Sequence, residues 1–221
     1  MIAIVLVIIF AVITYLTITK PKFLRGFPAV SALDDSVNTN DTHLEKLLDK
    51  ANRYYLQREF LAAEKAYLKL LKIDHKNTWS YNRLGFIYAH MSNFPDAIEC
   101  FKIVVDAKPN PASYQNLGMV YLKNRDFTKA ATVLEKSTEL KPEPQRLVSL
   151  ARVYRILSKY SLQVATLQKA LDMDKQNTQI MQLLAEAYLD NKDKENADKI
   201  FKKILKIDPQ NVRAHQELTK K

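Results

Sequence analysis

A tyrosine recurs along this chain at Tyr54, Tyr88, Tyr121, Tyr154 and Tyr188, in steps of 34, 33, 33 and 34 residues. A period of that length matches one supersecondary unit, so the chain must build an array in which each unit buries its apolar side against its neighbours. Three residues before each tyrosine stands a small residue: Ala51, Gly85, Gly118, Ala151 and Ala185. One residue further back are Lys50, Leu84, Leu117, Leu150 and Leu184. Later in each unit come Ala63, Ala97, Ala130, Gln163 and Ala197, followed four residues on by the large apolar Tyr67, Phe101, Leu134, Leu167 and Phe201. Small and large residues at helical spacing are what two close-packed helices need where they cross. Only 3 glycines in 221 residues argue against a loop-rich or β-rich fold and fit a helical one.

The clearest unit, from Thr78 to Asn110, reads Tyr81-x2-Leu84-Gly85-x2-Tyr88, then Ala97-x3-Phe101, then Pro109. This pattern resembles the tetratricopeptide repeat, a pair of antiparallel helices in about 34 residues. Around the crossing at Gly85 and Ala97, the rings of Tyr81, Tyr88, Phe94 and Phe101 are expected to fill the space. Each second helix is expected to end at His75, Pro109, Pro142, Lys175 or Pro209, with proline as the terminator. Gln163 breaks the small position and predicts looser packing there, with Ala165 supplying part of the missing small surface.

The resemblance covers residues 44–211, in units 44–77, 78–110, 111–143, 144–177 and 178–211. Residues 212–221 then read as a short polar capping helix carrying Arg213, Glu217, Lys220 and Lys221. The fold class expected is all-α: an α-solenoid of about five helix pairs behind a single transmembrane helix and a flexible linker. The resemblance further implies a right-handed superhelix whose concave groove is lined by the first helix of each pair.

Ahead of the repeats, Ile2 to Thr19 contains no charged residue. As a helix it would be about 27 Å long, enough to span a bilayer core. No basic residue precedes this run, which argues for an uncleaved anchor in residues 1–19 rather than a secretory leader. Lys20, Lys22 and Arg25 follow it directly and predict a single-pass protein with its repeats in the cytoplasm. Residues 20–43 hold Gly26, Pro28 and the polar run Asp34 to Asp41, and read as a tether. Its acids Asp34, Asp35 and Asp41 offset those basic residues, so the chain's net charge of +10 resides in the repeats.

Residues for chemistry are absent from the sequence pattern. Gly26, Gly85 and Gly118 stand alone, so there is no phosphate-binding loop. His43, His75, His90 and His215 lack metal-ligand spacing, and Cys100 beside Phe101 reads as a small core residue. Lys202, Lys203 and Lys206 lack interleaved stacking aromatics, which argues against a nucleic-acid groove. No cofactor and no enzyme activity are expected.

Recognition is therefore expected on the first helices. In the family, a carboxylate clamp for chaperone tails uses lysines, arginines and asparagines at fixed places, but the lysine places here hold Leu48, Asn82, Ala112 and Gln145. What remains is an apolar centre, Trp79, Phe86 and Met119, flanked by the amides Asn82, Gln115 and Asn116, with Arg152 further on. Amides can hold an extended peptide while the apolar patch receives a side chain. Trp79 has a second reading, as a cover for the seam between repeats. The function expected is a membrane-anchored scaffold binding partner peptides or proteins. Alternatives are an organelle or envelope targeting receptor and a basic protein that binds lipid surfaces.

Overall fold

The computed structural model describes residues 41–220, helices joined by turns and short irregular links, with no strand among them. The expected membrane segment 1–19 and the tether up to residue 40 lie outside the described residues, as does Lys221. No helix among the described residues is long and apolar enough to cross a membrane.

Two compact units divide between Lys108 and Pro109, and each is taken by itself. The first holds α1 (Asp41–Leu56), α2 (Phe60–Ile73), α3 (Thr78–His90) and α4 (Phe94–Ala107). The second holds α5 (Pro111–Lys123), α6 (Phe127–Leu140), α7 (Pro144–Ile156), α8 (Tyr160–Met173), α9 (Thr178–Asp190), α10 (Lys194–Ile207) and α11 (Val212–Thr219). Within each unit every helix packs on the next in sequence. The helix pairs are therefore those that the period predicts, although α1 opens three residues before the expected 44.

The crossing is closer than the sequence shows. A methyl group placed on Gly85 would lie 2.8 Å from Cζ of the Phe101 ring, and one on Gly118 would lie 2.6 Å from Cγ and Cδ2 of Leu134. Each of these two glycines thus faces the large residue sixteen positions on, and that side chain occupies the space where Cβ would be. Phe101 and Leu134 are fully buried, as are Tyr67 and Phe201 in the pairs built on Ala51 and Ala185. Tyr81 and Tyr88 join this packing, while Phe94 is only half-buried.

The second helices end differently from expectation. All five stop at the same place, after Ile73, Ala107, Leu140, Met173 and Ile207, whether the terminator position holds proline, histidine or lysine. Proline is therefore not what ends them. In the two pairs without it, a turn does the work: Asn77 and Asn177 donate their side-chain amides to the carboxylates of Asp74 and Asp174, both at 2.8 Å. The same two asparagines then cap the following helix, accepting from the N–H of Ser80 and Ile180. Asn211 forms the same pairing with Asp208, beside Pro209.

Between first and second helices, every pair uses a non-glycine residue in the left-handed region: Arg58, Ser92, Arg125, Ser158 and Lys192, with φ between 55° and 62°. This turn closes a hydrogen bond from the next residue's N–H to the carbonyl of the recurring tyrosine. Glu59 bonds Tyr54, Asn93 bonds Tyr88, Asp126 bonds Tyr121, Lys159 bonds Tyr154 and Asp193 bonds Tyr188, all at 2.8–2.9 Å.

At the carboxy-terminal end, Glu217 departs from the expected polar cap. It is buried, and it pairs with Arg213 at 3.2 Å and Lys220 at 2.8 Å. Ala214 on the same helix joins the apolar core that runs from Leu147 through Phe201.

Ser92 is exposed, so replacing it tests the turn's backbone alone. Ser92→Gly should raise stability by about 0.5–1 kcal/mol in urea unfolding, because glycine adopts this conformation without strain. An unchanged or lower midpoint would show that the turn carries no strain.

Candidate functional site

Trp79, Asn82 and Phe86 share one face of α3, three and four residues apart, in the first unit. Trp79 is 42% exposed and Phe86 37% exposed, large values for rings of this size. Neither is idle. The Trp79 ring lies 6.4 Å from that of Tyr67 on the preceding helix, and the Arg83 guanidinium sits 4.2 Å above it. Arg83 also lies 4.7 Å from the Tyr55 ring, so the cation is held between two aromatic faces. Phe86 meets Phe101 edge to face at 5.2 Å. Trp79 therefore covers the seam onto Tyr67 and still presents part of its ring to solvent.

Gln115, Asn116 and Met119 lie on α5 and Arg152 on α7, in the second unit. Gln115 donates to the Ser149 hydroxyl at 3.0 Å, a bond that ties α5 to α7, while its buried Oε1 has no partner among the described residues. Asn82, Asn116 and Met119 are half-buried, and neither asparagine is free. Asn52, at the place on α1 that Met119 holds on α5, accepts from the Tyr67 hydroxyl at 2.7 Å. The amides are thus partly committed within the fold.

Gln163 behaves as its place in the pattern requires. It is 4% exposed, and its Oε1 is buried without a partner among the described residues. Beside it lies a cavity of about 80 Å³ walled by Val148, Leu167 and Leu183, with Arg152 and Glu186 also lining it. Ala165 is exposed and takes no part in the packing, contrary to expectation. The break at Gln163 was visible in the sequence; that it opens a cavity next to Arg152 was not. Arg83 was missed too, since nothing in a lone arginine shows which rings will flank it.

Several buried hydroxyls and one thiol are held uncharged. Burial pushes the Tyr67 phenol up to about 12, against the opposing pull of Arg83. Burial, reinforced by the Glu64 carboxylate that accepts its hydrogen bond at 2.9 Å, raises Tyr88 strongly. Tyr154 is raised by burial and by its 2.8 Å bond to Glu135. Burial also raises the Cys100 thiol well above its ordinary range, with Asp96 adding to the effect, so this cysteine is a packing residue and a poor nucleophile. No group of three or more metal-ligating side chains converges among the described residues.

Models of the tetratricopeptide repeat match three stretches of the chain, residues 66–99, 111–144 and 164–221. No curated protein matches it significantly. Among solved structures, a crystal structure of MamA protein aligns with a TM-score of 0.70 at 22% identity, covering 77% of this chain and 94% of that one. MamA from Desulfovibrio magneticus RS-1 aligns with a TM-score of 0.68 at 18% identity, covering 76% of this chain and 97% of that one. YrrB, described as a TPR protein with an unusual peptide-binding site, aligns with a TM-score of 0.68 at 17% identity, covering 82% and 98%. At these identities the likeness is one of fold. The small-to-large crossings, the recurring turn and the three matched stretches together identify this chain as one that carries tetratricopeptide repeats.

Proposed function

We propose that the chain is a protein-interaction scaffold that binds peptide segments of its partners on the first-helix faces of its repeats, held at a membrane by its amino-terminal segment. The observation that carries the binding role is the exposure of Trp79 and Phe86 on one face of α3. Apolar rings left open beside a polar rim are where binding energy concentrates, and tryptophan is enriched at such places. Arg83 braces Trp79 from one side, so the ring is held ready and loses little freedom on binding. The peptide-binding site named for YrrB is consistent with this use of the fold.

Membrane attachment rests on the sequence from Ile2 to Thr19, and its orientation on Lys20, Lys22 and Arg25. A second reading, as a lipid-surface binder, is favoured by one feature of the first unit. Lys50, Lys65 and Lys69 surround a depression floored by Leu47, Tyr54 and Ala66. Basic side chains around an apolar floor suit an anionic headgroup region. The aromatic pair on α3 leaves two rings open on one helix face, and partner binding is the reading preferred.

Two measurements test the proposal. The Trp79→Ala, Phe86→Ala double variant, folded by circular dichroism, should lose the partners that the unaltered chain recovers by proximity labelling in its native host; unchanged recovery would refute the site. A reporter fused after Lys221 should be active only on the cytoplasmic side, and activity on the opposite side would overturn the orientation.

A further inference from the structure

Four of the five helix pairs place alanine at the small position of the second helix, and Ala63, Ala97, Ala130 and Ala197 are all fully buried. The fourth pair places Gln163 there, on α8, and buries its amide beside the cavity between α7, α8 and α9. A buried carbonyl oxygen without a donor is costly, so a fold that keeps one has either admitted water or kept the position for a ligand. From these observations we infer that this cavity is a side-chain pocket for a carboxamide, the glutamine or asparagine of a bound peptide.

The chemistry narrows in three steps. Oε1 of Gln163 is the atom without a partner, so the group that enters must donate a hydrogen bond. A carboxylate cannot donate, so it would leave this oxygen unpaired. A cation is disfavoured because two arginines, Arg152 and Arg155, line the cavity against the single carboxylate of Glu186. Of these charges, Arg155 is already paired with Asp190 at 2.9 Å. A neutral donor on an apolar stem remains. A carboxamide meets this description, donating its N–H to Oε1 of Gln163. The volume, about 80 Å³, suits a side chain.

The pocket lies beside Arg152 and so extends the peptide-binding reading given above, on which its biological meaning rests, but its test does not use a partner. The full chain, with leucine and valine methyls labelled, is titrated by nuclear magnetic resonance with the N-acetyl N-methylamides of glutamine, glutamate and norleucine. These share a backbone and differ at the side-chain tip. The glutamine compound should give saturable shifts of the Leu167, Leu183 and Val148 methyls, with the other two at least about tenfold weaker, the factor expected for one lost hydrogen bond. Gln163→Ala restores the residue found in the other pairs and should keep the fold while weakening the glutamine compound by a similar factor. Absence of saturable shifts, meaning a cavity that holds water only, would overturn the inference. So would equal binding of the three compounds, or an affinity unchanged in Gln163→Ala. Such a failure would leave the outcome at Trp79 and Phe86 untouched, so the two proposals fail separately.

Discussion

Each helix pair depends on one close approach, a small residue on the first helix against a large side chain sixteen residues later on the second. At Gly85 and Gly118 the approach leaves no room for a methyl group. At Ala51, Ala151 and Ala185 a methyl is present, and the large residues sixteen positions on, Tyr67, Leu167 and Phe201, are again buried. Interiors packed at this density tolerate little change in volume, which is why this pair of positions recurs while most of the surface varies from unit to unit. The tyrosine three residues on belongs to the same device. Its carbonyl closes the turn that sends the chain into the second helix, and in two pairs its hydroxyl reaches a glutamate, Glu64 or Glu135.

Much of this was legible from residue type and spacing. A 3.6-residue period with alternating small and large positions determines which faces must meet, and the helix pairs followed from it. Two features escaped because their cause is not in residue type. The helix ends were ascribed to proline, yet the two pairs carrying His75 and Lys175 end at the same place, through an aspartate–asparagine turn whose hydrogen bonds no periodicity displays. The left-handed residues escaped for the opposite reason. Glycine marks such positions, and this chain places arginine, serine and lysine there, relying on the bond to the tyrosine carbonyl to hold them.

The candidate site shows the same limit more sharply. Sequence position puts Trp79, Phe86, Gln115 and Arg152 on the first helices, and the structure finds them there. It cannot show that Arg83 would lie against Trp79, that Gln115 would spend its amide on Ser149, or that Asn52 would accept from Tyr67. These are side-chain choices made after the helices have packed. Gln163 marks the boundary between the two kinds of information. As an exception to a repeated pattern it could be found by reading, but the orphaned oxygen and the cavity beside it required the structure.

The account's central claim is that the crossing, and not helix propensity, decides what may stand at the small position. Gly85→Ala separates the two because they predict opposite signs. Propensity alone would have alanine stabilise the middle of α3 by about 0.5–1 kcal/mol. The Phe101 ring, 2.8 Å from the added methyl and fully buried, should instead make the variant less stable by about 1–3 kcal/mol in urea unfolding. A lowered midpoint is the result predicted here, and a raised one would contradict the packing on which every helix pair has been built.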